Sequence, residues 1–82
     1  MYRILTEDKN REAILSILDA HVDSYSVMPI IGSWKGTREA SLAIDLVATS
    51  KATVISIATD IKAANRQESV LILDFTAQPI YV

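Results

Sequence analysis

The sequence predicts an α+β domain in which two helices cover one face of a four-stranded antiparallel sheet, with strand order 4-1-3-2. Three observations lead there. Two segments carry apolar residues at helical spacing, and four short segments around them carry β-forming residues. The two middle strands follow one another through a glycine-containing hairpin, so the elements run strand, helix, strand, strand, helix, strand. A proline within the second strand, Pro29, demands a position at the sheet edge.

Taken in order, Tyr2-Arg3-Ile4-Leu5-Thr6 combines β-formers with alternation and reads as the first strand. Glu7-Asp8-Lys9-Asn10 is expected to open the first helix, with Asp8 or Thr6 as its cap and acids where the helix dipole favours them. Ile14, Leu15, Leu18 and Val22 form its apolar stripe, widened by Ile17. Asp23 and Ser24 break that pattern, and Tyr25 to Ile31 reads as the second strand. Beyond the hairpin, Leu42, Ile44 and Leu46 alternate with Ser41, Ala43, Asp45 and Val47, a third strand. Thr49 or Ser50 is placed to cap a second helix, along which Val54, Ile57, Ala58, Ile61 and Ala64 recur at helical spacing. Asn65 and Arg66-Gln67-Glu68 end it. Val70-Leu71-Ile72-Leu73 reads as a largely buried fourth strand, and Pro79 sets off Ile80-Tyr81-Val82, a segment suited to adding a strand to a neighbour. Right-handed crossovers put strand one between strands three and four and leave strand two at an edge. The arrangement is the ferredoxin-like βαββαβ order.

Residues 1–82 are expected to form a single domain. The absence of cysteine removes disulfides and thiolate metal sites, and one histidine cannot build a histidine-rich metal centre. No cofactor or metal is expected. A net charge of -2 argues against a general DNA or RNA binder. The apolar runs are too short to cross a bilayer, and the N-terminal stretch turns charged before a secretion signal forms, so a cytoplasmic protein without a membrane partner is expected. Half of the residues are hydrophobic, a high share for so short a chain. The sheet face that lacks helices is expected to carry several of Arg3, Leu5, Met28, Ile30, Ala43, Val47 and their neighbours; whichever strand parity holds, apolar side chains remain on it, which makes a homo-oligomer formed through that face the expected state.

The topology also sorts the loops. One pole gathers Thr6 to Arg11, Ser33 to Glu39 and Asn65 to Glu68, with five of the eight basic residues: Lys9, Arg11, Lys35, Arg38 and Arg66. Trp34 offers a stacking face for a base. Lys35, Arg38, Arg11 and Arg66 offer donors to phosphate, while Glu39 and Thr37 can orient a ribose or base. Gly32 and Gly36 let the backbone bend and approach a ligand closely. Such a pole suits a nucleotide-like anion. Each residue also has a plainer reading: Trp34 as a subunit anchor, Lys35 and Arg38 as solvated charges, Glu7 and Asp8 as helix-start residues, and His21 as a helix-end residue.

No P-loop, G-x-S-x-G or H-E-x-x-H motif occurs, and no catalytic residue is assigned. An enzyme with a cavity beneath an associated sheet, lined by Tyr25, Asp45 or Arg3, stands as an alternative, as does a purely structural or protein-binding module.

The stretch "YSVMPIIGSWKGTREASLAIDLVAT", followed by an amphipathic helix and "ESVLILDF", resembles the PII-like and CutA-like group. That resemblance implies compact ferredoxin-like subunits, assembly as a trimer, and ligands held in clefts between subunits partly by the loop joining strands two and three. Ser33 to Glu39 correspond to that loop and are much shorter than the signalling loop of true PII proteins. The W-K-G-x-x-E-x-S hairpin (Trp34, Lys35, Gly36, Glu39 and Ser41) is also similar to that of small uncharacterised proteins of phages and mobile elements. Some small phage proteins sequester nucleotide immune signals in the host cytoplasm, and a compact oligomer with a stacking aromatic and basic residues is similar in kind. The resulting expectation is a small homo-oligomer, a trimer by preference, that senses or sequesters a nucleotide-type ligand at Trp34, Lys35, Gly36, Thr37, Arg38, Glu39, Arg11 and Arg66.

Overall fold

A computed structural model describes residues 1–76 and 79–82. Its elements are β1 (Tyr2–Glu7), α1 (Arg11–His21), β2 (Ser26–Trp34), β3 (Thr37–Leu46), α2 (Lys51–Asn65) and β4 (Leu71–Asp74). The strands form one antiparallel sheet in the order β2-β3-β1-β4, the predicted order read from the other edge.

The period-2 alternation divides the sheet into two faces. Ile4, Leu42, Ile44 and Leu46 point toward the helices and are fully buried against Ile14 and Leu18 of α1 and Val54, Ile57 and Ile61 of α2. Burying each such side chain is worth about 1.5–3 kcal/mol, so this layer supplies most of the drive to fold. The opposite face carries Arg3, Leu5, Met28, Ile30, Ala43 and Asp45, as register with β1 and β3 requires. No helix covers it.

Pro29 sits on the edge strand β2, as predicted, and the hairpin pattern explains why it is harmless there. Trp34 and Thr37 flank a two-residue turn and form the hydrogen-bonded pair that closes it. Bonded pairs then alternate along the ladder, so Pro29, opposite Leu42, lies at a position that directs its backbone outward. Its missing amide hydrogen therefore costs the sheet nothing, and it interrupts an edge on which another strand would pair.

Several expectations are corrected. The first helix begins at Arg11, with Asn10 in the cap position and no side-chain cap bond, so neither Asp8 nor Thr6 caps it. The reason is that β1 continues: Glu7 pairs with Ser41, and the Asp8 amide donates to the Ala40 carbonyl at 3.0 Å. Thr6 belongs to the strand. Ser33 to Glu39 is not an extended loop either. Only Lys35 and Gly36 form the turn, both with positive φ (50° and 79°), the pairing that matches the twist of adjoining strands. β4 is an edge strand with only one covered face, so Leu71 remains 53% exposed where a largely buried strand was expected. At α2, Ser50 is the predicted cap, its hydroxyl accepting from the Thr53 amide at 3.2 Å. Ile80, Tyr81 and Val82 are exposed and belong to no strand.

Candidate functional site

Three connections meet at one pole, as the topology requires. The Thr6 hydroxyl of β1 donates to Gln67 Oε1 at 2.6 Å, and Asn65 Nδ2, the end of α2, donates to the same oxygen at 3.1 Å. Gln67 Nε2 completes the link by donating to the Ser69 carbonyl at 3.2 Å. This small polar network ties the α2–β4 connection to β1. Lys35 Nζ lies 3.8 Å from a Glu68 carboxylate oxygen, which joins the hairpin tip to the same connection. Each of the three connections contains one non-glycine residue in the left-handed region: Asn10, Lys35 and Arg66. Each belongs to a tight reversal: the entry to α1, the hairpin turn, and the end of α2.

Between these connections a cleft of about 300 Å³ opens on the helix-free face. Its apolar floor is Leu5, Ile30 and Leu71, from three different strands. The α2–β4 connection, through Gln67 and Glu68, forms one wall. The opposite wall is the far end of the β2–β3 ribbon, with Trp34, Glu39 and Ser41. Gly32 lies directly across from Glu39 in the ladder. A Cβ there would stand 2.8 Å from Ser41 Oγ, so glycine keeps this part of the cleft open.

Of the predicted site residues, Trp34 and Glu39 line the cleft. Trp34 is 54% exposed, leaving much of its surface free to stack. Lys35 stands beside it, with Nζ 5.8 Å from the centre of the Trp34 ring; Gly36 completes the turn, and Thr37 opens β3 opposite Trp34. The remaining arginines are not gathered there. Arg38 pairs with Ser33 and so projects from the sheet face opposite to Trp34 and Glu39. Arg11 is held by Asp8 through two hydrogen bonds of 3.2 and 2.5 Å, and their hydrogen bonding holds the Asp8 carboxyl below its ordinary range. Arg66, at the end of α2, is exposed. Among the described residues, no cationic side chain lines the cleft, whereas Glu7, Glu39 and Glu68 do.

Ser41, Ile30, Leu5 and Leu71 are not among the site residues expected from the sequence, where Gly32 has only the role of letting the backbone approach a ligand. Alternation from Glu39 and Trp34 along a hairpin with a two-residue turn, rather than a loop, places Ser41 and Gly32 on the same face.

The other pole has its own shallow cleft, about 360 Å³, beside His21, Asp23 and Thr49. His21 ends α1 and its Nε2 lies 2.9 Å from Asp60 of α2, linking the two helices. Tyr25 donates its hydroxyl to Asp19 at 2.6 Å, an interaction that raises the tyrosine pKa above its usual value. Arg3 and Asp45 form a two-pronged pair on the open face, at 2.6 and 3.0 Å, and Phe75 lies 5.6 Å from the guanidinium. Tyr25, Asp45 and Arg3 line neither cleft. Among the described residues, no group of three metal-ligating side chains is arranged to hold a metal ion, and no helix is long and apolar enough to cross a membrane.

No protein-family model matches this chain, and no curated protein matches it.

Proposed function

We propose that this protein is a small cytoplasmic binding protein that holds a nucleotide-type ligand without turning it over, as a sensor or a sequestering agent. The single observation that carries this reading is the cleft in which Trp34, Glu39 and Ser41 converge over Gly32 above an apolar floor. An aromatic face, a few convergent polar groups and an apolar base are the ordinary components of a small-molecule site. The ring of the ligand stacks on Trp34, and Glu39 accepts from a base amine or ribose hydroxyl. The phosphates stay outside the carboxylate-lined interior, near Lys35 at the rim. The more distant arginines act only if the ligand extends around the hairpin.

The working form in this proposal is a homo-oligomer, a trimer by preference, associated through the helix-free face with its clefts between subunits. Met28 and Ile30, 45% and 37% exposed on that face, support burial against another copy. The likeness to PII-like proteins, and to phage proteins that capture nucleotide signals, belongs to the same proposal.

Calorimetry with a panel of linear and cyclic nucleotides, beside mass measurement in solution, tests it. Trp34→Ala is expected to abolish nucleotide binding and leave the oligomer intact. Absence of nucleotide binding by the parent protein overturns the proposal. Dissociation of the oligomer on Trp34→Ala, with no ligand bound by the parent, assigns Trp34 to a subunit contact instead.

A further inference from the structure

We infer that the cleft selects a flat group with two parallel N–H donors, the pattern of the guanine edge, and that the Glu39 carboxylate reads it. This rests on the nucleotide-type reading above and specifies which base it concerns.

Glu7 and Glu68 each have a cation nearby, with Lys9 at 3.3 Å and Lys35 at 3.8 Å. Glu39 is half-buried and joins no ion pair among the described residues. Two residues further along the same face, Ser41 is only 7% exposed, yet its hydroxyl lines the cleft and makes no hydrogen bond among the described residues. Asn65 Oδ1 is the one buried side-chain oxygen without a hydrogen-bond partner among the described residues, so the Ser41 hydroxyl stays open to solvent and to a group that enters the cleft. Gly32 leaves the space for that to happen, since a side chain there would press on Ser41 Oγ.

The chemistry of the two groups narrows what enters. An ionised carboxylate only accepts hydrogen bonds, and its two oxygens suit a pair of parallel donors. Guanine presents N1–H and an N2 amine side by side, with a carbonyl oxygen adjacent for the Ser41 hydroxyl. Adenine offers a donor beside a ring acceptor, and uracil flanks its one donor with two acceptors. Stacking on Trp34 accepts any base, so discrimination falls to Glu39. A guanidinium carries the same donor pair without a nucleotide.

Calorimetric titration of the parent protein with guanosine, inosine, adenosine and uridine monophosphates, and separately with methylguanidine, distinguishes these sources. The guanine nucleotide is expected to bind about ten- to hundred-fold more tightly than the other three, the range for losing a hydrogen bond to a charged group. Glu39→Gln is expected to bring the four nucleotides within about three-fold of one another, with an unchanged circular dichroism spectrum. Equal binding of the adenine or uracil nucleotide, or a guanine preference that survives Glu39→Gln, overturns the inference while the nucleotide reading stands. Glu39-dependent binding of methylguanidine with no nucleotide bound keeps the donor-pair assignment and overturns the nucleotide reading. Binding of none of the five overturns both.

Discussion

The two faces of this sheet are made by the same four strands and differ in almost every physical respect. Toward the helices, Ile4, Leu42, Ile44 and Leu46 are fully buried in a single apolar layer. On the other side, Leu5, Met28, Ile30 and Leu71 share the surface with an Arg3–Asp45 pair and with the Trp34 cleft. The ion pair is internally neutral, and Phe75 lies over its guanidinium. Another surface can therefore cover the middle of that face without stranding a single charge, the arrangement that makes burial of a charged group tolerable. One face holds the fold together, and the other is left with no helix of the described residues against it.

The largest expected effect breaks the covered face. Ile44 is fully buried opposite Ile4 and Val27, so Ile44→Ala removes packed methyl groups and leaves a cavity. A loss of about 2–5 kcal/mol is expected in urea unfolding, a large share of the stability available to a small domain. Met28→Ala, one strand away on the other face and already 45% exposed, is expected to cost less than about 1 kcal/mol. Equal losses at the two positions would show that the open face also carries the stability of the free chain.

Next comes the ribbon that brings Trp34 over the cleft. Gly36 has a φ of 79°, and a Cβ there meets nothing within 4 Å, so Gly36→Ala isolates backbone strain from crowding. The expected cost is about 1–2 kcal/mol, the penalty of the left-handed region for a residue with a side chain. Reduced ligand affinity should accompany it, because the turn sets the direction of Trp34. A smaller effect is expected at the helix layer. Ser50→Ala removes the hydroxyl that accepts from the Thr53 amide and should cost about 1 kcal/mol in the same unfolding assay, with ligand affinity unchanged.

These elements were not equally legible in the sequence. The helix layer was, because an apolar stripe at helical spacing and a capping serine act locally, and Val54, Ile57, Ile61 and Ser50 are placed as their spacing requires. The strand order followed from chain direction and handedness, and Pro29 agreed with it. The cleft was legible only as a pole. Thr6 meets Gln67 across more than half the chain, and no local pattern encodes that hydrogen bond. Reading Ser33 to Glu39 as a loop also concealed its alternation, which sends Arg38 to one face and Trp34 and Glu39 to the other. Arg11 was drawn elsewhere by Asp8, a partner only three residues away.

That last pair sets the smallest expected effect. Arg11 donates to Asp8 on the covered side of β1, away from the cleft, and the Asp8 carboxyl is held below its ordinary range by that hydrogen bonding. A depressed folded-state pKa means a contribution present above the unfolded carboxyl's value, about 3.9, and lost as pH falls through the lower folded value. The pair should thus persist at neutral pH and be lost only as pH falls below the ordinary aspartate range. The effect on stability should be small, because exposed ion pairs contribute little. A carboxyl carbon titration by NMR should place the Asp8 midpoint below that of an unpaired aspartate, and Arg11→Gln should return it to the ordinary range. At neutral pH, Asp8→Asn frees the Arg11 guanidinium. If Arg11 has no part in holding the ligand, nucleotide affinity will be the same with and without that release; a gain on Asp8→Asn would bring Arg11 back to the site from which its partner now withholds it.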